Sequence, residues 1–399
     1  MVEIGGVMNI IQLAQQVEND MVKWRRYLHS IPELGLELPK TSAYVQEILT
    51  ELGIEYKTMV NGNAVVGLIR GTQDSPVIGL RADMDALPIK EDTGLEFEST
   101  NGKMHACGHD GHTAMLLGAA RILQENRQHL KGTVKLLFQP GEEYPGGALP
   151  MIEEGAMENP HVDAVIGMHN GHIYPELPKG MIGIKNGPMM ASMDRILLKI
   201  KGKGAHGAYP HDSVDPISMS FQIGTALQTL VSRETKPVDP VVLSICRIEG
   251  GFNQNIIPQM VEMEGTVRTL NRETRSRIAQ RIDELASGIA RSMRGEAELI
   301  YDFKYPPLIN DEKFTAFFRE SAKKIVGEER ILDMQEPVMG GEDMAYFLEK
   351  APGTFFFLNN PKEVGGAVYP HHNSKFDIDE SYFKVGAALF VQTVFDYLG

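Results

Sequence analysis

The expected fold is a two-domain α/β one: a mostly parallel sheet, interrupted by a smaller α+β unit. Three observations point to it. Short apolar runs, VIGL at 77–80, TVKLLF at 133–138 and DAVIGM at 163–168, recur between helical stretches. Strands with so little alternation are buried on both faces, as in parallel sheets flanked by helices. Each run leads straight into a polar cluster, RADMD, QPGEE and HNGH respectively, and ligands of open α/β sheets sit at the carboxyl ends of the strands. Finally, 399 residues exceed the roughly 250–300 at which a single core stops growing.

The elements follow in order. Ile10, Leu13, Ala14, Val17, Met21, Trp24 and Leu28 form a helical stripe, which Pro32 ends. A second helix is expected to be capped by Thr41 or Ser42 and stopped by Gly53. The apolar strands come next. From about Ala191 the texture changes: RILLKIKG alternates like a half-solvated strand, SMSFQIGTALQTLV reads as a helix, and VVLSI and VEMEGTVRTL read as strands. A charged helix over 272–294 and the strand AELIYDF (297–303) complete this unit. The expected division is therefore residues 1–190 with 306–399, which return to the first sheet, and an insert over 191–305.

Composition narrows the classes of partner. With 39 basic against 53 acidic residues the net charge is −14, which lacks the basic footprint of a nucleic-acid or anionic-membrane binder. Two cysteines make no disulfide framework. The N-terminal stretch lacks a basic segment leading into a long apolar one, and no run approaches the ~18 apolar residues of a membrane helix. A soluble, cytoplasmic protein is expected.

The chemistry lies in the polar clusters. In HACGHDGH (105–112), Cys107 and His109 stand two apart in a Gly-containing loop, so thiolate and imidazole can turn to one point, a donor pair suited to zinc and other first-row ions. A lone Cys-x-His is more often a buried thiol beside a core histidine; three histidines and an aspartate around one cysteine favour a metal. In QPGEE, adjacent Glu142 and Glu143 in extended backbone would point to opposite sides. One would bind a metal and the other face the substrate water, the division that metal-assisted hydrolysis needs. Glutamate pairs are usually surface charge, but this one follows a strand and a Pro-Gly turn. His169 ends the strand DAVIGM, and either His371 or His372 precedes FDIDE. Together these make five donors, more than the three or four protein ligands one ion takes, so two ions fit better.

These clusters identify a resemblance that runs nearly end to end. HSIPELGLE (29–37), RADMDALP (81–88), MHACGHDGHT (104–113), FQPGEE (138–143), GMHN (167–170), KGAHGAYPH (203–211), NIIP (255–258), EGTVRT (264–269), GGEDMAYF (340–347) and HHNSKFDIDE (371–380) occur in order. The sequence resembles the aminoacylase and hippurate hydrolase family of dimetal amidohydrolases, which includes indoleacetyl-amino-acid hydrolases and N-acetyldiaminopimelate deacetylases. The resemblance implies that Cys107, His109, Glu143, His169 and a C-terminal histidine hold two divalent ions (Zn, Mn, Co or Ni), with Cys107 shared. The register from Phe376 favours His372 over His371. It implies Glu142 as general acid/base and the insert as a lid through which a homodimer forms. His206 would then stabilise the oxyanion, often in the neighbouring subunit. Asn255 and Arg268 would contact the carbonyl and α-carboxylate of an N-acyl-amino acid, and the amides of Gly340 and Gly341, ahead of a helix start at Glu342, would add an anion-binding turn. Asp83 or Asp110 would orient a ligand histidine from behind, or only cap a loop. Arg81 stands where the wider superfamily has a histidine ligand, a departure that the cysteine branch shares.

Other features receive no catalytic role. His29 near a helix C-terminus suits the local dipole, and His112 supports the metal loop. His129, His161, His172 and His211 read as surface residues, Met189, Met190 and Met193 as core filling, and Cys246 as a small buried apolar residue. The expected activity is hydrolysis of N-acyl-amino acids. A dipeptidase or carboxypeptidase, or a noncatalytic metal- or ligand-binding homologue, is the alternative, although storage would not need Glu142.

Overall fold

The apolar runs form the middle of an eight-stranded sheet. Thr133–Gln139, Val77–Asp83, Ala164–Gly171 and Gly353–Asn359 lie side by side in that order, all parallel. Every residue in them is buried, which is why they show no alternation. Ala64–Arg70 and then Glu55–Met59 extend one side antiparallel. Ile182–Ile184 joins the other side antiparallel, followed by Ile331–Asp333. Parallel register brings Asp83 beside Gln139, so the carboxyl ends carrying the polar clusters share one edge.

The computed structural model describes residues 3–4 and 7–399. The chain forms two compact units, Met1–Gly187 with Ile309–Glu336 and Asp343–Gly399, and Pro188–Leu308 with Pro337–Glu342. The short segment Pro337–Glu342, with Gly340 and Gly341, thus sits with the insert rather than with the flanking sequence as its chain position suggested. Among the described residues no helix is long and apolar enough to cross a membrane.

In the first unit the N-terminal stripe is two helices, Ile10–Gln16 and Glu18–Ser30, meeting at Val17. The next helix, Pro39–Glu51, is not capped by Thr41 or Ser42, which are buried within its first turns. Pro39 sets its first turn, and the Glu33 carboxylate accepts the Lys40 and Thr41 amides at 3.0 and 2.9 Å. A glutamate six residues upstream has taken the cap.

His109–Glu125 is almost wholly buried and packs against Glu18–Ser30 and Phe383–Leu398. Its first turn is anchored by buried charges. Arg25 donates to Asp110 at 2.7 Å and to Asp377 at 2.9 Å, and His29 bridges Asp110 at 2.7 Å and Glu91 at 2.9 Å. His29 therefore serves this cluster rather than a helix dipole. Burial and Arg25 act to lower its pKa, but Asp110 and Glu91 overcome both and hold it above its ordinary value. Stranding one member of a buried pair costs about 3–5 kcal/mol, so the cluster pins the helix that carries His109. Asp110 faces Arg25 and His29, not a prospective ligand histidine, and is assigned to this anchor instead.

In the second unit, Val241–Gly250, Met260–Thr269, Asp194–Lys201 and Glu296–Phe303 form an antiparallel sheet in that order. Burial alternates along Asp194–Lys201 and Met260–Thr269. The inward set, including Ile196, Leu198, Val261 and Met263, packs with Met219, Ile223, Leu227, Ile278 and Ile282 from helices Pro216–Ser232 and Arg272–Ser292. Cys246 is exposed rather than buried: the ladder shifts register between Ile245 and Arg247, leaving Cys246 unpaired in a β-bulge at an edge strand.

Candidate metal centre

The loop after Met104 turns at Gly108, whose φ of 89° favours glycine. A Cβ there would come within 2.2 Å of Asn170 Oδ1, so only glycine lets the loop close on the strand bearing His169. The turn delivers Cys107 inward and makes His109 the first helical residue.

Glu142 and Glu143 are not in extended backbone as expected; they occupy a turn. Both of their amides donate to one carboxylate, Asp85, at 2.9 and 3.0 Å. Asp85 is the residue that sequence reasoning missed. Its signal was present, since RADMD continues the alternation of Arg81 and Asp83 by one more acidic position. Arg81 donates to Gln139 at 2.9 Å, Asp83 at 2.8 Å and Asp343 at 2.9 Å, and so ties three loop bases together.

The structure brings all five sequence-derived donors together. Ligating atoms of Cys107, His109 and His169 lie within 4.8 Å of one another, and so do those of Cys107, Glu143 and His372. Two triads thus share one thiol. His109, Glu142 and Glu143 form another such group.

Hydrogen bonding decides which imidazoles have a lone pair to give. His109 Nδ1 lies 3.0 Å from the Asp85 carbonyl, to which it donates, and buried Nε2 has no partner. His169 Nδ1 donates to the Asn170 carbonyl at 2.7 Å, leaving Nε2 facing Cys107 Sγ at 3.4 Å. His112 differs: the Asn170 amide donates to its Nε2 at 2.9 Å, so Nδ1 carries the proton toward Asp83 at 2.5 Å. Both of its nitrogens are used, and it buttresses the site. Asp83 therefore bears on His112, and lies 3.8 Å from His109 Nε2. His371 is likewise engaged at both nitrogens, by the His172 amide at 2.9 Å and by Cys107 Sγ at 3.6 Å. His372 instead points Nε2 at Glu143 Oε1, 2.9 Å away. Its φ of 63° is unusual for a non-glycine residue, and its amide is tied to the Ala106 carbonyl at 2.8 Å.

The electrostatics suit a cation. Burial opposes charge on His109, yet Asp83, Asp85 and Glu143 hold its pKa up at about 10. Burial and neighbouring imidazoles keep His169 neutral, with its pKa well below the ordinary value. Burial and the carboxylates of Glu143, Glu142 and Asp83 push the Cys107 thiol up. A divalent ion would reverse that shift, since a coordinating thiol is deprotonated outright. A thiol, the neutral imidazole of His169 and an excess of carboxylate around a His109 nitrogen without a hydrogen-bond partner fit a first-row metal, whose positive charge would take the place of the proton that the carboxylates hold on His109.

The remaining candidates lie in the second unit. His206 is exposed on the short strand Ala205–His206, paired with Ile256–Ile257. Exposed Asn255 accepts the Gly207 amide at 2.7 Å through its carbonyl. Arg268 is half-buried and lies alongside Gly341, where a Cβ would meet its Nη1 at 3.4 Å. The helix expected at Glu342 begins at Met344 and has five residues, so Gly340 and Gly341 do not form a helix N-terminus. His172, expected at the surface, is half-buried with Nδ1 3.1 Å from Asn359 Oδ1.

Fold and site together define a two-unit α/β protein with a thiol–imidazole–carboxylate cluster, suited to metal ions, at the carboxyl edge of its larger sheet. Residues 79–396 match the model of peptidase family M20/M25/M40. The chain is 41% identical over 378 residues to thermostable carboxypeptidase 1 of Saccharolobus solfataricus, covering 94% of each. It is 42% identical over 366 residues to the N-acetyl-L-cysteine deacetylase of Bacillus subtilis, covering 92% of this chain and 85% of that one. A solved dinuclear metal binding peptidase of the M20 family from Bacillus subtilis superposes with a TM-score of 0.82 at 36% identity, over 96% of this chain and 99% of the other. The chain belongs to peptidase family M20/M25/M40, and it is a hydrolase of amide bonds.

Proposed function

We propose that the protein is a metal-dependent amidohydrolase that releases free amino acids from N-acyl-amino acids. The observation that carries this reading is the pair of donor triads sharing Cys107. Cys107, His109, His169, Glu143 and His372 would hold two divalent ions such as zinc, manganese, cobalt or nickel, a choice that suits thiolate and imidazole donors. When bound, such ions acidify a water molecule and polarise the scissile carbonyl. Glu142, buried beside His109 and Glu143, takes the proton from the attacking water and returns it to the leaving nitrogen as the C–N bond breaks. The fork of Arg268, which enters no ion pair among the described residues, suits the α-carboxylate of the product amino acid. Gly340 and Gly341 serve as the backbone beside it, and Asn255 as a carbonyl contact. Two free cysteines, one of them exposed, suit a cytoplasmic setting.

The relatives include both a carboxypeptidase and a deacetylase, which differ in what the acyl side carries. Purified protein with each divalent metal is expected to hydrolyse acetyl-amino acids at least about tenfold faster, in kcat/KM, than dipeptides with a free amino terminus, a difference near 1.4 kcal/mol. The reverse preference would favour a dipeptidase.

The second unit is proposed as the dimerisation lid, with His206 serving the partner's centre as an oxyanion donor. Supporting this, Val242 and Ile248 of the edge strand, with Phe221, Phe252 and Ile300, are exposed large apolar side chains of this unit, an excess typical of interfaces. His206→Ala and Glu142→Gln should each be inactive alone, while a mixture of exchanging subunits should regain up to about a quarter of wild-type activity, from statistical pairing in symmetric dimers. No recovery despite demonstrated exchange would place His206 in its own subunit's site.

A further inference from the structure

The histidine beside the proposed ligand His372 has a separate task. His371 has its ring held in place from several sides. The His172 backbone amide donates to Nε2 at 2.9 Å, and Phe376 packs at 4.5 Å between ring centroids. The ring lies on Gly171, where a Cβ would come within 2.4 Å of His371 Cε1. An amide donor aimed at Nε2 requires a lone pair there, so the proton of the neutral ring sits on Nδ1. Nδ1 lies 3.6 Å from Cys107 Sγ. Cys107 is the atom that both triads share.

We infer that His371 is a positioning residue whose Nδ1–H donates a hydrogen bond to the Cys107 thiolate, steadying the sulfur that the two metal sites have in common. This rests on the reading of Cys107 as a metal ligand. The chemistry is general. An anionic sulfur in a buried site needs compensation beyond its metals, and donors to ligand atoms set both their orientation and the electron density they give. A histidine with both nitrogens committed supplies this without competing for the ion, and the adjacent His372 is left to ligate. The seat on Gly171 gives the ring its place, since any side chain at that position would push it out.

The test uses the full chain loaded with cobalt(II), whose thiolate-to-metal charge-transfer band in the near ultraviolet reports on the sulfur. Losing the donor in His371→Leu should move that band to longer wavelength and weaken zinc affinity by about 10–100-fold, the usual range for such supporting contacts. The metal stoichiometry should stay that of the wild type. His371→Asn, whose side-chain amide nitrogen falls near the place of Nδ1, should restore most of the band position and affinity. An unmoved band together with unchanged affinity in His371→Leu would overturn the inference. So would loss of a whole metal equivalent, because His371 would then be a ligand. Cys107→Ser serves as the control. If that variant keeps the same band, the reading of Cys107 as a ligand fails instead, and the two failures are told apart. Circular dichroism of each apoprotein shows whether the variants fold.

Discussion

Glu142→Gln is expected to lower turnover by about 10²–10⁴-fold, the usual contribution of a positioned general base, while the metal content and KM stay close to wild type. The substitution keeps shape and removes only the ability to take a proton. The neighbouring substitution should behave differently in kind. Glu143 faces His372 at 2.9 Å and shares a triad with Cys107, so Glu143→Gln should shed metal, and excess metal should recover part of the rate. Asp85 holds both backbone amides of this turn, and so sets where each carboxylate points. Metal analysis alongside steady-state kinetics on both variants decides it. Metal loss in Glu142→Gln with full loading of Glu143→Gln would reverse the two roles, and no effect in either would remove the pair from the mechanism.

Stripping the metals should abolish hydrolysis without unfolding the protein. Ions at such a site acidify water and stabilise charge in the transition state by several kcal/mol, so the chelated protein should lose activity by about a thousandfold or more. The fold should survive because the core beneath the site is built from apolar packing around the buried helix His109–Glu125 and the four central strands. Divalent ions should restore turnover in wild type. They should fail in Cys107→Ser, because that single change strikes both triads. Turnover that resists chelation in protein shown to be metal-free would sink the proposed function.

Much of this was legible in the chain itself. The central strands announced themselves as unbroken apolar runs because both faces are covered. The second unit announced itself by alternation, because one face of its sheet meets the two helices. Candidate donors at strand ends and loop starts, Cys107, His109, one of Glu142 and Glu143, His169 and one of His371 and His372, could be collected because the carboxyl edge of a parallel sheet gathers whatever follows its strands; the choice within each pair came from the resemblance.

What stayed hidden depended on contacts between residues distant in sequence. His29 could be read only as a helix-end histidine, since Asp110 is 81 residues away. Thr41 lost the helix cap to Glu33, and Cys246 was turned outward by a bulge that alternation alone does not reveal. The proposed division of labour between His371 and His372 is a further case: the register of the resemblance favoured His372, but the residues themselves gave no physical reason for it. Adjacent and identical in type, they differ in what surrounds them: the His172 amide and the Cys107 sulfur claim both nitrogens of one, while a left-handed backbone turns the other toward Glu143. Sequence determined which residue types reach the site. Only the tertiary structure decided which lone pairs remain, because a nitrogen's availability is set by the partner at its other end.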